Sequence, residues 1–298
     1  TKSMGNFFLE SFLEYLQHQR KYSVHTQTAY SKDIKDFVEY ISSEFEITAP
    51  GDVKNEMVRS WVSTLIGNKV EPVSVRRKIS TLRSYFKYLQ KEQIIKVSPI
   101  VNVPLPKMPK KLPVVIDGSN LESMFSSFGL NITYDEALEQ TLISILYGTG
   151  MRRSELTGLL ERDIDLRQQQ LKVLGKRNKE RIIPITEELA AVIGKFIEIK
   201  AKNNIQSEFL LVNKKGKALG GSYIYKIVKK YLTLFRVNGK RSPHILRHTY
   251  ATHLLQNGAE LLSVKELLGH SSLASTQVYT HVNIEDLKKV YKKNHPKP

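Results

Sequence analysis

Between Pro104 and Pro113 the chain reads PLPKMPKKLP, four prolines and three lysines in ten residues. Each proline fixes φ and removes a backbone donor, so the stretch cannot continue a helix and is expected to be extended and semi-rigid. It divides 298 residues into two parts that each carry their own apolar periodicity and are each long enough to bury a core. The expected organisation is a helical unit over 1–103, a linker over 104–113 and a second unit over 114–298.

In the first unit, Phe8, Phe12, Leu13 and Leu16 form one apolar stripe, and Tyr30, Ile34, Phe37, Val38 and Ile41 form a second. Both follow the 3.6-residue period of an amphipathic helix. Asp52 is expected to cap a third helix carrying Met57, Val58, Trp61 and Leu65, and Ser74 a fourth carrying Ile79, Leu82, Phe86 and Leu89, since both side chains accept from free first-turn amides. In the second unit, helical patterns run over 119–128, 135–147 and 152–160. The period then changes: Leu171 and Val173, then Ile183 and Ile185, alternate with polar residues on either side of GKRNKE, the pattern of a β-hairpin. Helix returns afterwards, with Ser242 and Pro243 as cap and first residue of a segment from His244 to about Gln256. The fold class is therefore mainly α with a small antiparallel β-sheet.

The net charge of +17 is larger than solubility requires, and a surplus of that size attracts polyanions. It is spread over both units, with 18 basic against 11 acidic residues before Val114 and 28 against 18 from there on, so nucleic acid is the expected partner. No apolar run approaches a membrane span, and no leader pattern opens the chain, so no membrane partner and a cytoplasmic location are expected. The absence of cysteine excludes disulfides, thiolate zinc sites and a thiol nucleophile. His244 and His248, four apart, come nearest to a metal pair, but no third ligand can be named, and neither metal nor cofactor is expected.

The segment SPHILRHTYATHLLQNG, residues 242–258, places His244 and Arg247 three apart at a helix start. They share a face where free amides and the helix dipole favour an anion. A solvated basic face has the same residue spacing. The segment resembles the HxLRH box of tyrosine recombinases and integrases, and TGMRRSELTGL, residues 149–159, resembles their first arginine box. In the same order, LGKRNKERIIPI is similar to the family's lysine hairpin, and LLGHSSLASTQVYTHV to the stretch with its last histidine and its tyrosine. HTQTAYSKDIKDF and SVRRKISTLRSYFKYL are similar to the core-binding domain, and the ending NHPKP resembles the Xer type.

The resemblance implies a C-shaped, two-domain DNA clamp with a SAM-like core-binding domain and a catalytic domain. It also implies a reaction in which Tyr279 attacks a phosphodiester and stores its energy in a 3′-phosphotyrosine. Arg152 and Arg247 would hold the non-bridging oxygens, with His244 and His270 donating further hydrogen bonds, because permanently cationic forks stabilise charge that builds during in-line attack. Lys176 would protonate the departing 5′ oxygen, and Glu155, three residues beyond Arg152, would hold that arginine in place. Arg177 and Lys179 would touch DNA backbone, as would a row of Arg76, Arg77, Lys78, Arg83 and Lys87 in the first unit.

The implied partners are duplex DNA with paired inverted half-sites and three further protomers, in a homo-tetramer or a hetero-tetramer with a sister recombinase. A cell-division DNA translocase is a possible activator. Residues 283–293 carry Ile284, Leu287 and Val290, which with Val282 make an apolar face opposite lysines, suited to docking on a neighbouring protomer. The competing readings are a phage or mobile-element integrase, a type IB topoisomerase, and a DNA-binding protein without chemistry.

Overall fold

Helix α1, Leu9–Glu14, runs on into a wider turn over Tyr15–Gln19, and α2 spans Val24–Phe45. Helix α2 starts at Ser23, whose hydroxyl accepts from the Thr26 amide, and stops where Glu46 turns left-handed. Helices α3, Asn55–Gly67, and α4, Pro72–Lys91, complete the bundle. Their apolar stripes close on one core of Phe12, Leu16, Ile34, Phe37, Trp61, Ile79, Leu82 and Phe86. The computed structural model describes residues 7–107, 114–129, 133–175, 180–239 and 241–269. It resolves the chain into two compact units, residues 1–111 and 112–298.

Two expected caps are corrected. Asp52 lies in a separate turn, Pro50–Asp52, and α3 begins only after Lys54. Ser74 lies inside α4, because Pro72 at the first helical position, with its φ already fixed, starts the helix three residues earlier, after Glu71.

The second unit is built around α6, Tyr134–Thr149, which is buried on nearly every side, as an apolar helix at the centre of a domain must be. Thr133 caps it reciprocally with Glu136: the Glu136 amide donates to the threonine hydroxyl, and the Thr133 amide to the glutamate carboxylate. Helix α5, Gly118–Ser126, precedes it and the short α7, Arg153–Thr157, follows. Strands β1, Ile164–Asp165, β2, Gln170–Leu174, and β3, Glu180–Pro184, form an antiparallel sheet in chain order. Its register pairs Leu171 with Ile183 and Val173 with Arg181. Helices α8, Glu187–Lys202, and α10, Pro243–Gln256, pack on α6. Helix α9, Gly221–Leu234, lies between these in sequence, and α11, Leu261–Leu268, ends at Gly269. Ser242 occupies the cap position of α10 and Pro243 its first turn.

In the first unit the aspartate Asp33 is fully buried. It accepts from the Thr81 hydroxyl at 2.9 Å, pairs with Arg77, and lies 3.2 Å from the Lys78 ammonium. Lys78 is itself buried, reaches Asp36 at 2.5 Å and lies 5.6 Å over the Trp61 ring. Removing one partner of a buried pair leaves the other charge without compensation. Asp33→Asn is expected to destabilise this unit by about 3 kcal/mol. The chain's one tryptophan, Trp61, is in this unit, so denaturant unfolding followed by tryptophan fluorescence reads the loss directly. A midpoint equal to that of the parent protein would mean that Asp36 alone compensates Lys78.

Candidate active site

Helix α6 terminates at Gly150, where φ is +59°. A Cβ at Gly150 would meet the Tyr250 ring at 2.4 Å, so only glycine allows this close approach. The turn delivers Arg152 in an extended conformation as the residue before α7. Glu155, three residues on, accepts the Arg152 backbone amide at 2.7 Å and its Nη1 at 2.8 Å. The pair expected from the spacing is thus formed, and the carboxylate is only 4% exposed.

From the opposite side comes Arg247 on α10. Its Nη1 donates to the Gly150 carbonyl at 2.6 Å and its Nη2 to the Leu268 carbonyl at 2.7 Å. Arg152 Nη2 donates to the next carbonyl, Gly269, at 3.0 Å. Two arginines 95 positions apart in sequence are therefore anchored on neighbouring carbonyls at the end of α11. Burial and the adjacent Arg152 push the Arg247 guanidinium down to about 10, which still leaves it cationic at neutral pH. His244, in the first turn of α10, is exposed.

A third arginine, absent from the sequence reading, completes the cluster. Arg181 on β3 donates Nη1 and Nη2 to the two Glu155 oxygens, each at 2.9 Å, and Nε to the Leu267 carbonyl at 3.2 Å. Burial by itself would raise the Glu155 carboxyl, but the hydrogen bonds from Arg181 and from the Arg152 amide outweigh it and hold the group at about 2. The signal in the sequence was its place in the alternation: Arg181, Ile183 and Ile185 are two apart and share the inward face of the strand. An arginine at that position needs a buried anion.

Among the described residues, Glu155 bonds two of the three guanidiniums and backbone carbonyls hold Arg247, so three cations gather in a partly dehydrated setting. Such a site suits an anion, and above all a planar or tetrahedral oxyanion matched by guanidinium forks. Arg153, next to Arg152, is exposed and reaches the Gly221 carbonyl at 3.4 Å. Lys176, Arg177 and Lys179, in the connection between β2 and β3, lie outside the described residues, as do His270, Tyr279 and the tail helix expected over 283–293.

In the first unit the expected row on α4 is corrected. Arg76, Arg83 and Lys87 are exposed, and Arg77 is half-exposed and paired with Asp33. Lys78 is buried between Asp33 and Asp36 and is not available to DNA. Lying three residues after Val75 and four before Leu82, it shares their core-facing side of the helix.

Comparison with known proteins places these residues in context. Residues 117–286 match the phage integrase family, and residues 9–93 match the phage integrase N-terminal SAM-like domain. The chain is 36% identical to the tyrosine recombinase XerC of Thermodesulfovibrio yellowstonii over 97% of its own length and 96% of that protein. It is also 36% identical to the XerC of a Listeria monocytogenes strain, over 97% of each. Among solved structures, the XerH site-specific recombinase bound to palindromic difH substrate aligns with a TM-score of 0.71 at 23% identity, over 95% of this chain and 80% of that one. A lambda integrase dimer bound to a core site aligns at 0.68 and 15% identity, over 90% and 74%. The structural likenesses carry the fold.

The carboxylate at the centre of the cluster makes stability depend on pH. A carboxyl held at about 2 instead of its ordinary 4.5 contributes stability that is complete above the unfolded value. That contribution is lost as pH falls towards 2, and amounts to about 3 kcal/mol at neutral pH. Glu155→Gln is therefore expected to be less stable than the parent by roughly that amount at pH 7, the gap narrowing below pH ~4.5. Denaturant unfolding followed by circular dichroism across this range checks it; a gap independent of pH would assign the loss to packing.

Proposed function

Because this chain belongs to the phage integrase family, the tyrosine recombinases, we propose that its arginine cluster is the phosphate clamp of a site-specific DNA strand-exchange enzyme. The observation that carries this reading is the anchoring of Arg152 and Arg247 on the adjacent carbonyls of Gly269 and Leu268. It brings the arginines of two separate motifs to one place. A scissile phosphodiester there would receive the two guanidiniums on its non-bridging oxygens, with His244 and His270 as further donors. The cations counter the charge that grows on those oxygens during in-line attack without any proton transfer.

The Tyr279 hydroxyl loses its proton to solvent and attacks phosphorus. A tyrosyl phosphodiester forms while the bond to the 5′ oxygen breaks, and Lys176 supplies the proton to that leaving oxygen. Since one phosphodiester replaces another, the bond energy is kept, and a 5′ hydroxyl from the partner duplex reverses the step. Repeated on a second pair of strands, the exchange passes through a Holliday junction and resolves it.

The substrate in this reading is duplex DNA with two inverted half-sites, each held by one protomer, and two such duplexes meet in a tetramer. A sister recombinase would supply half of the protomers in a hetero-tetramer, and a cell-division translocase would act as activator. The XerC relatives favour the resolution of chromosome dimers in the bacterial cytoplasm over integration of a mobile element. Arg76, Arg83 and Lys87, exposed along α4, suit backbone contacts on the same DNA, as do Arg177 and Lys179 from their place in the sequence. The tail helix with Leu287 and Val290 would dock on the next protomer, coupling neighbouring sites.

Incubation with a nicked duplex carrying a candidate resolution site, then a denaturing gel, tests the chemistry. The parent protein is expected to give a covalent adduct in EDTA without nucleotide. Tyr279→Phe should bind the same DNA and give none; an adduct from that variant would move the nucleophile to another tyrosine. Arg247→Ala should slow adduct formation by about 100-fold or more, in line with ~3 kcal/mol for an oxyanion donor. Cleavage at the parental rate would remove Arg247 from the clamp.

A further inference from the structure

Three consecutive carbonyls at the end of α11 each receive a hydrogen bond from a different arginine. Leu267 is bonded by Arg181, Leu268 by Arg247 and Gly269 by Arg152. Helix ends leave such carbonyls without intrahelical partners, and they carry the negative end of the helix dipole. Two of the three arginines belong to the proposed phosphate clamp, and the third has no part in it so far.

Arg181 is placed differently from the other two. Its side chain is 14% exposed, against 34% for Arg152, and Nε, Nη1 and Nη2 all donate to protein oxygens. The oxygens it holds are the supports of the clamp. Glu155 Oε1 also takes Arg152 Nη1, and Oε2 also takes the Arg152 backbone amide. Leu267 is the first of the three carbonyls whose next two anchor Arg247 and Arg152. Arg181 thus fastens the carboxylate beneath one clamp arginine to the helix end beneath both. The fit is tight, since a Cβ at Gly269, where φ is +65°, would lie 3.1 to 3.2 Å from the Arg181 side chain.

We infer that Arg181 is a positioning residue for the clamp: its fork locks the Glu155 carboxylate to the end of α11, so that Arg152 and Arg247 are held in one fixed geometry. The inference rests on the reading of Arg152 and Arg247 as phosphate ligands. Lysine would keep the charge but lose the fork that spans two carboxylate oxygens and a carbonyl, so the geometry predicts that charge alone is insufficient.

The test compares the full-length parent, Arg152→Ala, Arg181→Met and Arg181→Lys in single-turnover cleavage of a nicked duplex. The scissile group is either the natural phosphodiester or a neutral methylphosphonate, which offers the clamp no negative charge to hold. Arg152→Ala is expected to lose rate on the diester and much less on the methylphosphonate. Arg181→Met should lose about 10- to 100-fold on the diester, the scale of a displaced catalytic group, with a several-fold smaller loss on the methylphosphonate and unchanged DNA binding. Arg181→Lys should fall between Arg181→Met and the parent. Each variant's two rates come from one preparation, so any unfolded fraction cancels in their ratio, and the lysine variant retains the charge that folding needs.

Equal fractional losses on both substrates would overturn the inference and leave Arg181 a residue of the fold only. So would a parental rate for Arg181→Met. If Arg152→Ala itself gains no relief on the neutral substrate, the clamp reading fails, an outcome read from a different variant.

Discussion

The Glu155 carboxylate determines whether the arginines of the second unit can share a site at all. Bringing cations together with little water costs several kcal/mol per ion unless an anion and well-aligned hydrogen bonds offset it, and Glu155 supplies both for Arg152 and Arg181 at distances of 2.7 to 2.9 Å. Among the described residues, Glu155 takes two of the three guanidiniums, Arg152 and Arg181. Arg247 bonds the Gly150 and Leu268 carbonyls instead, and burial and Arg152 push it down to about 10. The carbonyls at the end of α11 supply only the partial charge of a helix terminus, about half a unit. In the proposed clamp, a phosphodiester would bring its single negative charge to these guanidiniums, whose forks match its two non-bridging oxygens.

The backbone makes this cluster possible through two left-handed glycines. At Gly150 the chain leaves α6, presses against the Tyr250 ring, and offers its carbonyl to Arg247. At Gly269 it leaves α11 against the Arg181 side chain and offers its carbonyl to Arg152. Each glycine therefore both ends a helix and aims its carbonyl at an arginine of the cluster. The helices that meet there are held by α6, whose burial on nearly every side ties α8 and α10 to a common core. Packing in the interior and charge in the site are joined through these two turns.

Much of this was legible in the sequence, and the failures have physical causes. Periodicity found the helices and the hairpin because burial imposes it, and Glu155 was found beside Arg152 because three-residue spacing on a helix start leaves little choice of neighbour. The caps at Asp52 and Ser74 failed because several residues near a helix start can accept an amide, and Pro72, by fixing φ, decided the start of α4 first. Lys78 was misread because residue type outweighed phase: counting from Val75 and Leu82 puts it on the core side, where Asp33 and Asp36 wait for it. Arg181 escaped for the reverse reason. Its phase on β3 pointed inward, yet its partner carboxylate lies 26 residues away, and no local spacing connects a strand to the helix start it will meet.

The two units use buried positive charge in opposite ways, and the contrast explains how a site can be told from a support. In the first unit, Lys78 and Arg77 meet Asp33 and Asp36, two carboxylates for two cations, and the network closes on itself. In the second, Glu155 takes Arg152 and Arg181 while backbone carbonyls hold Arg247, and Arg152 remains a third exposed after its hydrogen bonds are made. Burial of a cation is thus no sign of a ligand, because the first network buries Lys78 as well. What distinguishes the second cluster, among the described residues, is that backbone carbonyls hold its guanidiniums beside the carboxylate and that Arg152 stays partly open to solvent. By the same measure, the part of α4 left for a polyanion is the exposed face with Arg76, Arg83 and Lys87, since Lys78 has already spent its charge on the protein's own acids.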